Sequence, residues 1–409
     1  MKMQAANSLF ETVQAIEDEF QVETYKKMPI AAERGEGVWI YTIDGDRYLD
    51  LYGGHAVAAT GHCHPLVSAA IAAQAQKLLF YSNLVYSGVR GSAAERLAAI
   101  APRPISRAFF CNSGTEANEN AMRMARMATG RDEIISFSGG FHGRTADSIS
   151  ATFLGRYRDI GKPNVPGHLM AEFGNIDSVR DLASNSVAAI MLEPVQSMAG
   201  VATAAPTFFR ELRELCDERG IFLIFDEVQT GIGRTGEWFF SGSPAADGVI
   251  PDIISLAKAL GSGVPVGACL VTDRVSENIK VNDLGTTFGG GMLAMAAIVA
   301  TLDAIEADGM LANVKDVENH LREKLGEIED VVAVHGIGFL LGIEFGINAS
   351  GVHQGLLNRK IITGTSSSAK VLRLLPPLCL GRAEADLFIT ELKAVLHEVK
   401  SAGAARSAG

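Results

Sequence analysis

The sequence predicts an α/β fold. A large domain is built on a mostly parallel sheet covered by helices on both faces, and a smaller α/β domain accompanies it. Two observations predict this. Short apolar, β-rich runs alternate with helical patterns through the middle of the chain, the order that parallel strands require of their crossovers. A second strand and helix pattern resumes after about Gly290, and 409 residues suit about two or three domains with real cores.

The elements follow in chain order. WIYTIDGDRYLDL holds an Asp-Gly turn between two aliphatic and aromatic runs, which reads as a hairpin. Ala108–Phe110, Glu133–Phe137, Val187–Leu192, Ile221–Phe225, Ile253–Leu256 and Gly267–Val271 read as short buried strands. Thr115–Ala128 and Pro206–Arg219 read as helices between them. In such sheets ligand-binding groups gather in loops at the carboxyl ends of the strands. Met292–Asp308 reads as a long helix that leads to strands near Val331–Val334 and Phe339–Phe345. The expected division is 1–48 as an N-terminal segment of the small domain, 49–288 as the large domain and 289–400 as the rest of the small domain. Residues 401–409, SAGAARSAG, are expected to form a mobile tail.

Composition excludes several function classes. With 36 Lys+Arg against 47 Asp+Glu the formal net charge is −11, which argues against nucleic acid as a partner. The longest apolar stretches, such as Met292–Ala300, fall far short of the ~18 residues that span a bilayer, so no membrane association is expected. The acidic first twenty residues lack the apolar core of a signal peptide. Five scattered cysteines with no C-x-x-C pair fit a reducing cytoplasm. Glycine is the compositional outlier at 43 residues, which implies many tight turns and close backbone approaches.

Four segments carry possible chemistry. CNSGTEANENAMRMAR follows an apolar run, and Ser113 and Glu116 have capping-box spacing. A strand, a Ser113-Gly114-Thr115 turn and a helix start make either an anion site or an ordinary capped helix. In IFLIFDEVQTGIGRTG a buried strand delivers Asp226 and Glu227 to its end. An acid there needs a cationic partner if buried, and is otherwise solvated or capping. Gly231-Ile-Gly-Arg-Thr-Gly236 formally matches G-x-G-x-x-G, but it is separated from the strand and no helix pattern follows, so a nicotinamide-dependent dehydrogenase is a remote alternative. In PDIISLAKALGSGVPVGA, Lys258 follows an apolar run and precedes a glycine turn. It is either a buried lysine poised for covalent chemistry with a carbonyl or a snorkelling side chain. SGGFHGRTADS offers Phe141 and His142 as flat faces and Arg144 as a carboxylate partner, and GTTFGGGM offers the hydroxyls of Thr286 and Thr287. GHCHP is read as a structural turn, and no metal is expected.

Together these motifs resemble the class III pyridoxal-phosphate aminotransferases, most of all the acetylornithine/succinylornithine aminotransferase group. The resemblance runs from RGEGVWIYTIDGDRYLDLYGGHAVAATGHCHP through NSGTEANENAMRMAR, FHGRT, LEPVQ, FDEVQTGIGRTG, SLAKALGSGVPVGA and GTTFGG to LRLLPPL. It implies the fold of type I pyridoxal-phosphate enzymes, with a mostly parallel seven-stranded sheet, and pyridoxal 5′-phosphate as cofactor. It also implies a homodimer with a shared active site.

On matching positions, Lys258 and Asp226 would be catalytic, Lys258 joined covalently to the cofactor and Asp226 holding its ring nitrogen protonated. Gln229 would approach the 3′-oxygen, and Ser113, Gly114 and Thr115, with Thr287 from the partner subunit, would bind the phosphate. Phe141, beside His142, would stack on one ring face and Val228 pack on the other. Arg144, with Thr286 nearby, would take the α-carboxylate of an acylornithine, and Arg373 the carboxylate of glutamate and 2-oxoglutarate. Glu193 and Met198 would also line the substrate pocket. The implied reaction moves the terminal amino group of an N-acylornithine-like ω-amino acid to 2-oxoglutarate, giving a semialdehyde and glutamate by ping-pong chemistry. A 4-aminobutyrate, ornithine or broad diamine transaminase of the same family is the alternative.

Four positions depart from the pattern. Met198 stands where relatives carry a glutamate able to mask the distal arginine. His55 replaces an apolar residue, and Gly291-Met292 replaces Asn-Pro.

Overall fold

The computed structural model describes residues 8–407. Its centre is a seven-stranded sheet in the order Ile105–Cys111, Gly267–Thr272, Ile253–Leu256, Phe222–Asp226, Val187–Leu192, Glu133–Phe137, His168–Ala171. Gly267–Thr272 runs antiparallel to both neighbours, and the remaining pairings are parallel. The reason is length. The link from Leu256 to Gly267 carries only a 3₁₀ turn, Lys258–Gly261, too little chain for a crossover helix. Val187–Leu192, Phe222–Asp226 and Ile253–Leu256 are buried along their whole length, as strands covered on both faces must be. The His168–Ala171 strand went unread in the sequence. It is a short edge strand whose ends are buried and whose middle is not, so it shows neither an apolar run nor clear alternation.

The helices form where their periodicity and caps place them. Gly114–Thr129 buries one face on Ala117, Ala121, Met122, Met124 and Ala125 and stops at left-handed Gly130. Pro206–Arg219 starts on proline and stops at left-handed Gly220.

The N-terminal hairpin forms at the expected Asp-Gly turn, with strands Trp39–Thr42 and Arg47–Asp50. These join Ala32–Glu36 and, in parallel, Ile361–Ile362 in a four-stranded sheet, so the start of the chain is knitted into its last third. The Arg47–Asp50 strand straddles residue 48, because ladder pairing to Ile361–Ile362 continues to Asp50. A further antiparallel sheet contains Val331–Ile337, Leu340–Phe345, Val371–Leu374 and Gly364–Thr365. The last helix, Arg382–Ser407, runs through most of the segment expected as a tail, whose alanines favour helix. Ala408 and Gly409, like residues 1–7, lie outside the described residues.

Candidate active site

Strand ends and one helix start converge on a cavity of about 580 Å³. The Phe222–Asp226 strand delivers Asp226, 4% exposed, to its wall. Carboxylate Oδ2 of Asp226 accepts from Asn118 Nδ2 at 2.7 Å and lies 2.8 Å from His142 Nδ1, while Oδ1 accepts from the Val228 N–H at 3.1 Å. Asn118 is itself fixed. Its amide also donates to the His142 carbonyl, and its oxygen accepts from the Ser255 hydroxyl. Burial favours neutral His142, but the hydrogen bond and charge of Asp226, with the more distant Glu193, outweigh it and raise the imidazole pKa.

Lys258 follows the Ile253–Leu256 strand at a φ of +43°, a left-handed conformation uncommon for a residue with a side chain. It lines the cavity, and among the described residues no carboxylate lies within 4 Å of its Nζ. Desolvation depresses its pKa, and Arg373 and Arg234 add repulsion, against the pull of Asp226 and Glu193. Glu193 behaves oppositely. Burial pushes it up to about 7, although its carboxylate accepts the Phe141 N–H at 2.7 Å.

The helix Gly114–Thr129 points its N-terminus at the same cavity. Ser113 Oγ accepts the Glu116 N–H at 3.2 Å, as the capping spacing predicts. The reciprocal bond differs, since Glu116 accepts from the backbone and side-chain amides of Asn112 rather than from Ser113. The N–H groups of Gly114 and Thr115 have no carbonyl to reach within the helix and stay available to an anion. The Thr115 hydroxyl is not a free donor: Thr145 donates to Glu119, so Thr115 spends its proton on Thr145 at 2.7 Å. A Cβ on Gly114 would stand 2.9 Å from Val228 Cγ1, so only glycine leaves this cradle open.

At the other end of the cavity Arg373 rises from the Val371–Leu374 strand, 4% exposed. Its Nε donates to the Thr365 carbonyl at 2.6 Å, Nη1 to Ser197 Oγ at 2.9 Å and Nη2 to Tyr52 Oη at 2.7 Å. Three of its five N–H groups are thereby used. Among the described residues it has no carboxylate within 4 Å, and burial lowers its pKa. Phe141, Arg144, Met198, Val228 and Gln229 complete the lining, with Arg144 exposed at the mouth and its guanidinium 4.9 Å from the Tyr157 ring.

The fold therefore brings together thirteen of the fifteen candidate positions and leaves out two. Thr286 lies outside the cavity, its hydroxyl accepting from Asn112 and from the Gly289 N–H. Thr287 is exposed and also outside it. Four participants were missed: Asn118, Ser197, Tyr52 and Tyr25, which lines the mouth. Only Asn118 had a legible signal, one helical turn beyond Gly114 on the same face. In GHCHP, His62 pairs with Asp50 and His64 with Asp308, while Cys63 is exposed. Gly231–Gly236 is a turn with no helix after it, so it lacks the geometry of a dinucleotide site. Among the described residues no helix is long and apolar enough to cross a membrane.

Comparison with known proteins adds a family. The family described as Aminotransferase class-III matches residues 20–396. The acetylornithine aminotransferase of Methanopyrus kandleri is 40% identical over 382 residues, covering 93% of this chain and 97% of that protein. The acetylornithine aminotransferase of Archaeoglobus fulgidus is 40% identical over 89% of this chain and 95% of its own length. The crystal structure of the ornithine aminotransferase from Toxoplasma gondii ME49 superposes with a TM-score of 0.89 at 26% identity, covering 98% of this chain and 97% of that one. The acetylornithine aminotransferase from Elizabethkingia anophelis superposes with a TM-score of 0.83 at 25% identity, covering 96% of this chain and all of that one.

Proposed function

The chain belongs to the class III aminotransferases, and from that premise we propose that it transfers the terminal amino group of an N-acylornithine-like ω-amino acid to 2-oxoglutarate with pyridoxal 5′-phosphate as cofactor. The observation that carries the reading is one cavity holding Asp226, a helix N-terminus, and Lys258 and Arg373, neither of which has a carboxylate within 4 Å among the described residues.

These residues fit the cofactor. The open cradle at Gly114, with the unspent N–H groups of Gly114 and Thr115, suits a phosphate ester. Asp226, kept a hydrogen-bond acceptor by Asn118 and His142, suits a protonated ring nitrogen. Phe141 and Val228 would bracket the ring and Gln229 would meet its hydroxyl side. When bound, the group supplies an electron sink for the carbon that loses a proton.

The chain's own groups do the rest. Lys258 Nζ, with its proton affinity reduced by burial, takes a proton from the substrate carbon and returns it elsewhere on the same face. Arg144 would receive the α-carboxylate of the acylornithine at the mouth, and Arg373 the carboxylate of glutamate and 2-oxoglutarate. Both half-reactions share the site, so the two arginines serve different substrates in turn. A second reading, a broader ω-amino acid or diamine transaminase, is supported by apolar Met198 in the cavity that Arg373 also lines.

A homodimer completes the proposal. Leu79, Tyr81, Leu84 and Tyr86 expose 50% or more of their surface next to Phe288, itself 65% exposed and 5.1 Å from the Phe80 ring. An apolar patch of this kind supports an interface, and it adjoins Thr287, which would then serve the partner's phosphate. Scattered cysteines, all free among the described residues, support a cytoplasmic setting.

The test is Lys258→Ala. Wild-type protein should show a visible absorption band with pyridoxal 5′-phosphate that bleaches on adding acetylornithine, and the variant should show neither. A variant that still turns over acetylornithine, succinylornithine, ornithine, putrescine and 4-aminobutyrate at the wild-type rates refutes the assignment.

A further inference from the structure

His55 enters the cavity from an unusual backbone. It and Ala56 both have positive φ, +67° and +65°, and two consecutive non-glycine residues in that region are strained. The segment is pinned just upstream, where Asp50 Oδ1 accepts the N–H groups of Tyr52 and Gly53. The His55 side chain lines the cavity, and its Nδ1 lies 2.9 Å from Tyr52 Oη, the atom that receives Arg373 Nη2.

The proton count along this chain of contacts has one solution that leaves nothing buried unpaired. A guanidinium only donates, so Tyr52 Oη accepts from Arg373, and its single proton goes to His55 Nδ1. Nδ1 is then the acceptor and the ring proton sits on Nε2, on the far side from Tyr52. A doubly protonated ring would donate at Nδ1 and strand the hydroxyl proton of Tyr52, which is 9% exposed. The groups facing His55 point the same way: Arg373 and Arg144 are cationic, Lys258 adds repulsion whenever it is protonated, and Tyr52 is neutral. His55 is itself exposed at the cavity wall, and the partial desolvation there, ahead of the charges of Lys258, Arg373 and Arg144, lowers the imidazole pKa.

We infer that His55, oriented by Tyr52, is a specificity-determining residue that donates Nε2–H to the substrate carboxylate received by Arg373. Arg373 keeps two N–H groups unspent, and the bridging hydroxyl holds His55 within two hydrogen bonds of them. The clamp is one fixed cation plus one uncharged donor. It selects a carboxylate without adding a second full charge that would have to be desolvated. This rests on the proposed role of Arg373, and the experiment separates the two.

The probe is glutarate, a dicarboxylate that cannot react, titrated calorimetrically into the holoenzyme. Arg373→Met should abolish measurable binding; equal binding by this variant and wild type would remove the carboxylate reading of Arg373 itself. His55→Leu and His55→Gln bear similar backbone strain, but only Gln keeps a donor. His55→Leu should weaken glutarate about 10- to 100-fold, the share of one hydrogen bond to a charged group, and His55→Gln should stay within about threefold of wild type. In turnover the KM for 2-oxoglutarate should rise more in His55→Leu than kcat falls. Tyr52→Phe, which leaves residue 55 untouched, should weaken glutarate in the same sense and serves if His55→Leu does not fold. Wild-type affinity should not rise as pH falls through 6.5. Unchanged affinity in His55→Leu with loss in Arg373→Met, failure of Gln to rescue, or binding that tightens with acid each overturns the proposal.

Discussion

Met198→Glu tests the logic of the substrate pocket most directly. Met198 lines the cavity next to Ser197, whose hydroxyl accepts from Arg373 Nη1. A glutamate of similar length would bring a carboxylate toward a guanidinium that has two donors unspent and, among the described residues, no counter-ion within 4 Å. At a separation of about 4 Å and an effective dielectric near 20 the attraction is about 4 kcal/mol. Desolvating the new carboxylate takes back a large part, leaving about 1.5–3 kcal/mol, the usual worth of a hydrogen bond to a charged group. A dicarboxylate acceptor must displace that pair, so its KM should rise about 10- to 100-fold. Acetylornithine, whose carboxylate is assigned to Arg144, should change by less than about threefold. Stopped-flow half-reactions of the holoenzyme, run separately with acetylornithine and with 2-oxoglutarate, read the two effects independently. An unchanged KM for 2-oxoglutarate, or equal increases for both substrates, would refute the assignment of the two arginines.

Two further perturbations probe the frame of the site. In Gly267→Ala the new Cβ would collide with the Ser113 carbonyl, which accepts the Ala117 N–H at 3.0 Å. Backbone cannot yield as a side chain can, so the variant should lose about 1–3 kcal/mol and bind inorganic phosphate more weakly; calorimetric unfolding at the wild-type temperature would count against this. Glu193 holds its proton up to about 7 in the folded protein, whereas an unfolded glutamate releases it near its ordinary value of 4.5. Between those values the folded state binds more protons, so its contribution to stability is full at acid pH and is lost as pH rises toward 7. Glu193→Gln should remove that slope and melt higher than wild type at pH 8 in the apoenzyme, as fluorescence-detected unfolding across pH would show; parallel melting profiles would contradict it.

What could be read from the sequence was whatever local order encodes. Val187–Leu192 and Ile253–Leu256 are legible because a doubly covered strand is apolar at every position. Asp226 and Lys258 are legible because one ends such a strand and the other comes two residues after one. The antiparallel direction of Gly267–Thr272 was available in principle from the short link before it, but hydropathy carries no sign of strand direction. His168–Ala171 was hidden by its edge position. Thr115 reads differently in the fold: a hydroxyl in a helix-start motif reads as a phosphate donor, but Thr145, brought in from outside the helix, gives its own proton to Glu119 one turn along and takes that of Thr115.

The same distinction explains why cofactor chemistry was easier to read than substrate choice. The cofactor-facing groups lie at strand ends and a helix start of one sheet, where spacing along the chain determines placement. The carboxylate site at Arg373 is assembled across the fold. Tyr52 reaches Arg373 over 321 residues of sequence, and Ser197 reaches it over 176. No local pattern encodes such a contact, and each partner alone is an ordinary tyrosine, serine or arginine. His55 and Met198 are departures at this assembled end, while Ser113, Gly114, Asp226 and Lys258 keep the pattern at the other. Substitutions near Arg373 therefore change which acid is admitted without disturbing the groups that handle the proton. By this reasoning the Met198→Glu and His55→Leu variants should retain wild-type binding of pyridoxal 5′-phosphate, because neither touches the sheet ends that hold it.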